Sequence, residues 1–221
     1  MTIKIQEVDT LNITTLERAR EIMGRNLISP SQIEDHLGQH FSSHGSSKVI
    51  PFSEEFLRRN SQNCILIKGV PLGIEEIYEK AVKRDPHYSS NIFGDAWFLR
   101  EVFAKEMKVQ PAWYLFQKRI NLSSLKMTYD QAEILLNPNE EIPRACELFY
   151  VILLYYLTTH KRLFRGYYPF SRDIFLNNHL LVGFFPEKLG THQYKLDVRH
   201  YTDASSILNT GIVAMKKQLI Y

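Results

Sequence analysis

A chain of 221 residues with 27 lysines and arginines against 24 aspartates and glutamates carries a formal charge of only +3. Its 44% hydrophobic and 23% charged content supplies the apolar surface for a real core, which excludes a disordered chain, and the length predicts one large domain or one domain with a small appendage. The excess lies in aromatics: they form 12% of the chain, and 14 of them fall between Phe149 and Tyr221.

The opening MTIKIQEVDT lacks a basic stretch followed by an apolar one, so no secretory signal is expected and the cytoplasm is the default location. Thr14 and Thr15 are N-cap candidates for a helix with Leu16, Ala19, Ile22 and Met23 at helical spacing, stopped by Gly24. Ser29 and Pro30 open a second helix through Ile33 and Leu37 that ends at Gly38. The polar stretch Gln39 to Ser47 reads as a linker and Lys48 to Phe52 as a short extended run. Ser53, Glu54 and Glu55 then open another helix with acid in its positive first turn. Cys64 to Val70, apolar at nearly every position, predicts a strand buried on both faces. Both cysteines, Cys64 and Cys146, sit in apolar runs and read as reduced core residues. Helices are expected over Ile74 to Arg84 and from about Asp95 through Trp97, Phe98, Val102 and Phe103, with a strand from Trp113 to Ile120.

Thr128 and Gln131 match a capping box for a helix through Ile134 and Leu135. The strongest helical pattern follows Pro143: Ala145, Leu148, Phe149, Ile152, Leu153, Tyr156 and Leu157 form a stripe that Val151, Leu154 and Tyr155 widen, so this helix is expected at the centre of the core. Its 15-residue apolar run contains Glu147 and is too short to span a bilayer, which takes about 20 residues. His160, Lys161, Arg162 and Arg165 cluster at its end, where cations complement the helix dipole. After Gly166 the pattern changes to short β-type runs: Tyr167 to Phe175, Leu180 to Phe185, Gln193 to Arg199 and Gly211 to Met215. The expected fold is therefore α+β, with a mainly helical part (1–165) containing a few strands, packed against an antiparallel β region (166–221) that shares its core.

Few familiar chemistries are present. His36, His40 and His44 are spaced four apart, but Gly38 and Gly45 interrupt a common helix face, so no metal site is expected. Gly69 to Gly73 lies between a strand and a helix as a phosphate-binding turn would, yet Glu75 and Glu76 occupy the first helical turn. Neither a GxSxG elbow nor an HExxH pair occurs, and no cofactor is implied. The densest polar cluster is Asp197, Arg199, His200, Tyr201 and Asp203, in which strand alternation places Asp197, Arg199 and Tyr201 on one face and His200 on the other. The first reading is a non-catalytic protein that contacts a protein or small ligand through Tyr167, Tyr168, Arg199, His200, Tyr201 and Asp203. The second is an enzyme with an acid/base site around Asp197 or Asp203, Arg199 and His200. The third is nucleic-acid binding by the basic clusters Lys118-Arg119, His160 to Arg165 and Lys216-Lys217, with Arg162, Arg165, Tyr167 and Tyr168 able to stack bases.

ERAREIMG (17–24), IPFSEE (50–55) and NEEIPRACELFYVILLYYLTTHKRLF (139–164) together resemble a family of bacterial hypothetical proteins. Members share a RAREIMG-like helix, a PFSE-like cap, a strand ending in a P-L-x-I turn, a tryptophan-containing strand and an E-x-P-x-A helix ending in R-L-F. Val182 to Phe185 and Thr210 to Val213 are similar to its V-G-x-F and L-G-V segments. The resemblance implies a common architecture and brings no catalytic residue with it. The closing strands KLDVRHY and NTGIVAMKK are also distantly similar to the tails of C-type-lectin-like and formylglycine-generating-enzyme-like folds.

Overall fold

The computed structural model describes residues 13–38, 49–93, 96–186, 193–201 and 209–218. The elements run β1 (Thr14–Thr15), α1 (Leu16–Met23), β2 (Leu27–Ile28), α2 (Pro30–Leu37), β3 (Val49–Ile50), α3 (Glu54–Asn60), β4 (Cys64–Lys68), α4 (Ile74–Arg84) and α5 (His87–Asn91). They continue with α6 (Val102–Glu106), β5 (Trp113–Gln117), α7 (Tyr129–Glu133), α8 (Ala145–Thr159), β6 (Tyr168–Phe175), β7 (Asn178–Pro186), β8 (Tyr194–His200), β9 (Thr210–Gly211) and β10 (Met215–Gln218).

Capping chemistry sets the helix starts. Thr15, Ser29, Ser53 and Thr128 each accept a hydrogen bond from a backbone N–H in the first turn of α1, α2, α3 and α7, and Ser29 and Thr128 complete capping boxes with Gln32 and Gln131. The strand periodicity sets the layers. One sheet has the order β10-β5-β4-β2 and the other β8-β7-β6-β9, while β1 and β3 form a separate two-stranded ribbon. On the first sheet Cys64, Leu66, Trp113 and Leu115 face Ala19, Met23 and Leu57 of α1 and α3, whereas Ile65, Ile67, Tyr114 and Phe116 face α8. On the second sheet Leu180, Val182 and Phe184 of β7 join Leu196 and Val198 of β8 against α8. Leu181 and Phe185 pack on the outer side with Phe170, Ala132 and Ile142. α8 thus lies between two sheets, and 12 of its 15 residues are buried. Each large apolar side chain enclosed in this way contributes about 1.5–3 kcal/mol, which makes α8 the main hydrophobic element of the fold.

The expected α+β composition is observed, but the two parts interleave. After β9, which pairs in parallel with β6, the chain returns to the first sheet, and β10 runs antiparallel to β5. The expected single strand over Gly211 to Met215 is instead the end of β9, an extended crossing, and the start of β10. The expected helix through Phe103 is divided into a 3-10 turn, Trp97–Arg100, and α6, because Glu101 adopts an extended conformation; Asp95 lies outside the described residues. Packing explains the break: the Trp97 indole N–H donates to the Val198 carbonyl at 2.8 Å, docking this turn on β8. α5 is not evident in the sequence, and α7 stops before Ile134, which is left 83% exposed.

Polar groups are gathered at the N-terminal end of α8. Glu147 is 1% exposed; it accepts hydrogen bonds from the Arg144 backbone N–H (2.8 Å) and the Tyr114 hydroxyl (3.1 Å), with the Lys217 ammonium at 3.7 Å. Lys217 also pairs with Glu141 at 3.0 Å, which in turn holds Arg172 at 2.7 Å. Asp173 accepts the Ala145 N–H at 2.7 Å and pairs with Arg144 at 3.2 Å. Three carboxylates and three cations thereby tie β6 and β10 to the helix, and the carboxylates complement its positive pole.

The turn between β4 and α4 also has a packing explanation. A Cβ at Gly69 would lie 2.1 Å from the Gln110 carbonyl oxygen, and one at Gly73 2.8 Å from that of Ala104. Backbone therefore packs against both glycines where a side chain would project, while Glu76 accepts the Gly73 N–H at 2.8 Å. Both cysteines are buried and free, and burial pushes the Cys64 thiol up to about 11 and the Cys146 thiol up to about 12. No helix among the described residues is long and apolar enough to cross a membrane.

Candidate functional site

The residues singled out after Gly166 fall on two faces of the second sheet. Tyr168, Arg199 and Tyr201 share the outer face. The Tyr168 ring stacks on Phe185 at 4.3 Å, the Arg199 guanidinium lies 4.3 Å from the same ring, and Tyr201 meets Phe170 edge-on at 4.8 Å. Burial raises the Tyr168 and Tyr201 phenols above their ordinary value, so both are neutral at physiological pH. Asp197 is 7% exposed, accepts the Val198 N–H and pairs with Arg199 at 3.1 Å. His200 is on the opposite face, stacked on Trp97 at 4.9 Å and tilted against Phe175 at 5.3 Å. The alternation expected from sequence is thus observed, and it separates His200 from Asp197 and Arg199. Asp203 lies outside the described residues, as do His40 and His44; His36 is half-buried at the end of α2.

Tyr167 is directed elsewhere, to the C-terminal end of α8, where three grooves adjoin. The first, about 500 Å³, is lined by Tyr156, His160, Lys161, Arg162 and Arg165. A second, about 310 Å³, shares Arg165 and adds Lys118, Arg119, Ile120, Leu122, Phe164 and Tyr167. A third, about 220 Å³, shares Arg162 and adds Asn91, Gln193, Tyr194 and Lys195. Chain geometry brings these residues together. His160 takes the left-handed conformation (φ 55°) as the α8 C-cap, and Phe164 (φ 52°) and Gly166 (φ 80°) turn the chain again before β6.

The cations here are not consumed by the helix they follow. The Thr158 hydroxyl donates to the Leu154 and Tyr155 carbonyls, that of Thr159 donates to Tyr155, and the His160 backbone N–H donates to Tyr156. Among the described residues, none of Lys118, Arg119, Lys161, Arg162 and Arg165 pairs with a carboxylate; the ion pairs lie elsewhere on the molecule. Arg162 is held by aromatic rings, its guanidinium carbon 5.4 Å from Phe184, 5.6 Å from Tyr194 and 6.0 Å from Tyr156, and its buried Nε has no hydrogen-bond partner among the described residues. Burial, together with the nearby Arg119, Arg25 and Lys161, holds Lys118 below the ordinary lysine range. Burial, aided by Arg84 and His160 against the opposing pull of Asp35, lowers the pKa of the His36 imidazole.

Sequence reasoning found Arg162, Arg165 and Tyr167 but missed Tyr156, Tyr194 and Lys195. Tyr194 was within reach of the strand period, since it has the parity of Leu196 and Val198 and therefore faces α8. No protein-family model matches the chain, and neither a curated protein nor a solved structure matches it.

Proposed function

We propose that this protein is a non-catalytic binding protein that captures an anionic, phosphate-bearing partner at the C-terminal end of α8. The observation that carries this reading is the set of cations around three adjoining grooves that pair with no carboxylate among the described residues, in a chain whose net charge is only +3. Arg18, Arg58, Arg59, Arg144, Arg172 and Arg199 pair with carboxylates, whereas the groove cations lie together without one among the described residues, which gives a local positive potential that a bound anion neutralises. Arg162 is pre-organised by its ring contacts, so little side-chain freedom is lost when its planar donors engage two oxygens of one phosphate. The acid/base reading has less support, because Asp197 is committed to Arg199 and His200 to Trp97 on the other face.

Inorganic polyphosphate provides the test. Wild-type protein binds it with an affinity that falls steeply with salt, and the exposed double variant Lys161→Glu/Arg165→Glu loses at least about tenfold in affinity, the equivalent of roughly 1.4 kcal/mol, with an unchanged melting curve. The outer-face variant Arg199→Ala binds as wild type does. Equal binding by wild type and the double variant rejects the site, and loss confined to Arg199→Ala moves it to the outer face.

A further inference from the structure

Resting on that anion-binding reading, we infer that the partner is single-stranded nucleic acid, with phosphates on the arginines and a base lodged on the apolar floor of the groove beside Tyr167. Three features of the α8 end select this class. The grooves are linked through Arg165 and Arg162, so an occupant that fills them is extended and carries several anions. The groove beside Tyr167 joins cations to an apolar surface made by Ile120, Leu122 and Phe164, and Leu122 is 66% exposed there. A free phosphate has no use for that surface, whereas a nucleotide places a flat apolar base within reach of its own phosphate. The third groove repeats the combination with Tyr194 and Arg162. Grooves that combine aromatic side chains with cations suit the base and the phosphate of a single strand.

A duplex fits less well. Reading a double helix calls for a protruding helix or ribbon that enters a groove, and here the end of α8 lines a groove while its apolar stem is buried. An intact duplex also hides its base faces. A membrane surface fits less well still, since Leu122 is the single strongly exposed large apolar side chain lining the grooves among the described residues.

Fluorescence anisotropy with a labelled oligothymidylate of about 12 nucleotides, a duplex of equal length and inorganic polyphosphate separates these outcomes. The expected order is single strand over duplex, with log affinity falling against log salt at a slope of roughly −3 for four phosphate contacts. Tyr167→Leu weakens the single strand about fivefold or more and leaves polyphosphate unchanged, while Tyr167→Phe retains both. Leu122→Ser, at an exposed position, weakens the single strand without altering the melting temperature and guards against a folding defect in Tyr167→Leu. If polyphosphate binds but neither Tyr167→Leu nor Leu122→Ser affects the oligonucleotide, the base-binding inference fails and the anion-binding reading stands. If the duplex binds as tightly as the single strand, the inference also fails. If neither polyphosphate nor oligonucleotide binds, both fail.

Discussion

The two ends of α8 deal with charge in opposite ways. At the N-terminal end Glu147 and Asp173 are buried, and each faces cations and backbone donors: Arg144 and Ala145 from the helix start, Tyr114 from β5, Lys217 from β10. At the C-terminal end the cations outnumber their partners, the last carbonyls are satisfied by threonine hydroxyls, and the side chains project into grooves. A helix of one hydrophobic character along its length thus ends in a lock on one side and an open positive surface on the other. Charge that holds strands together cannot also bind a ligand, so the structural charges gather at one end of α8 and the charges free to act at the other.

The sharpest way to break the lock is Glu147→Ala. It removes the acceptor for the Tyr114 hydroxyl and the Arg144 N–H and leaves Lys217 facing Glu141 alone. Removing one member of a buried ionic group costs about 3–5 kcal/mol, so the thermal midpoint should fall by roughly 10 °C or more. Glu147→Gln, which keeps one carbonyl acceptor, should lose less. A fall of under about 1 kcal/mol for Glu147→Ala in a denaturant titration would mean that the network does not hold β10 in place.

A matched pair of substitutions sharpens the contrast further. Arg144→Met and Arg162→Met make the same chemical change at opposite ends. The first strips the ion pair from Asp173, 7% exposed, and should destabilise by several kcal/mol, approaching the loss for Glu147→Ala. The second removes a cation that has no carboxylate partner and preserves contact with Phe184 and Tyr194, so stability should stay within about 1 kcal/mol while polyphosphate affinity drops. Equal losses of stability at both ends would show Arg162 to be a structural charge as well.

Much of this contrast was legible in the sequence, but unevenly. Local chemistry was readable: the caps at Thr15, Ser29, Ser53 and Thr128, the enclosed pattern of α8 and the alternation around His200 all depend on near neighbours in the chain. What depends on distant pairing was not. Lys216 and Lys217 read as a basic cluster, yet Lys217 is drawn into the lock by β10 pairing with β5, a partner about a hundred residues earlier. Tyr167 and Tyr168 read as one surface, and strand geometry sends them to opposite sides. The aromatic excess is likewise divided between core packing, the Tyr168–Phe185 stack and the cage around Arg162. Composition registers the excess without registering that division.

The smallest expected effect joins the open end to acid stability. His36, in α2, is held below its ordinary pKa by burial and by Arg84 and His160, against the opposing pull of Asp35. Its folded pKa lies below the unfolded value, so the unfolded chain takes up the proton first. The stabilising contribution is complete above about pH 6.5 and is lost as pH falls through the folded pKa. His36→Gln should flatten that part of the stability profile. Polyphosphate bound beside His160 adds negative charge near the imidazole, so it should raise the His36 pKa and move the acid loss in the favourable direction. An NMR titration of the His36 ring protons with and without polyphosphate reads this directly. An upward shift places the anion at the open end of α8; binding that leaves the His36 titration untouched places it elsewhere on the molecule.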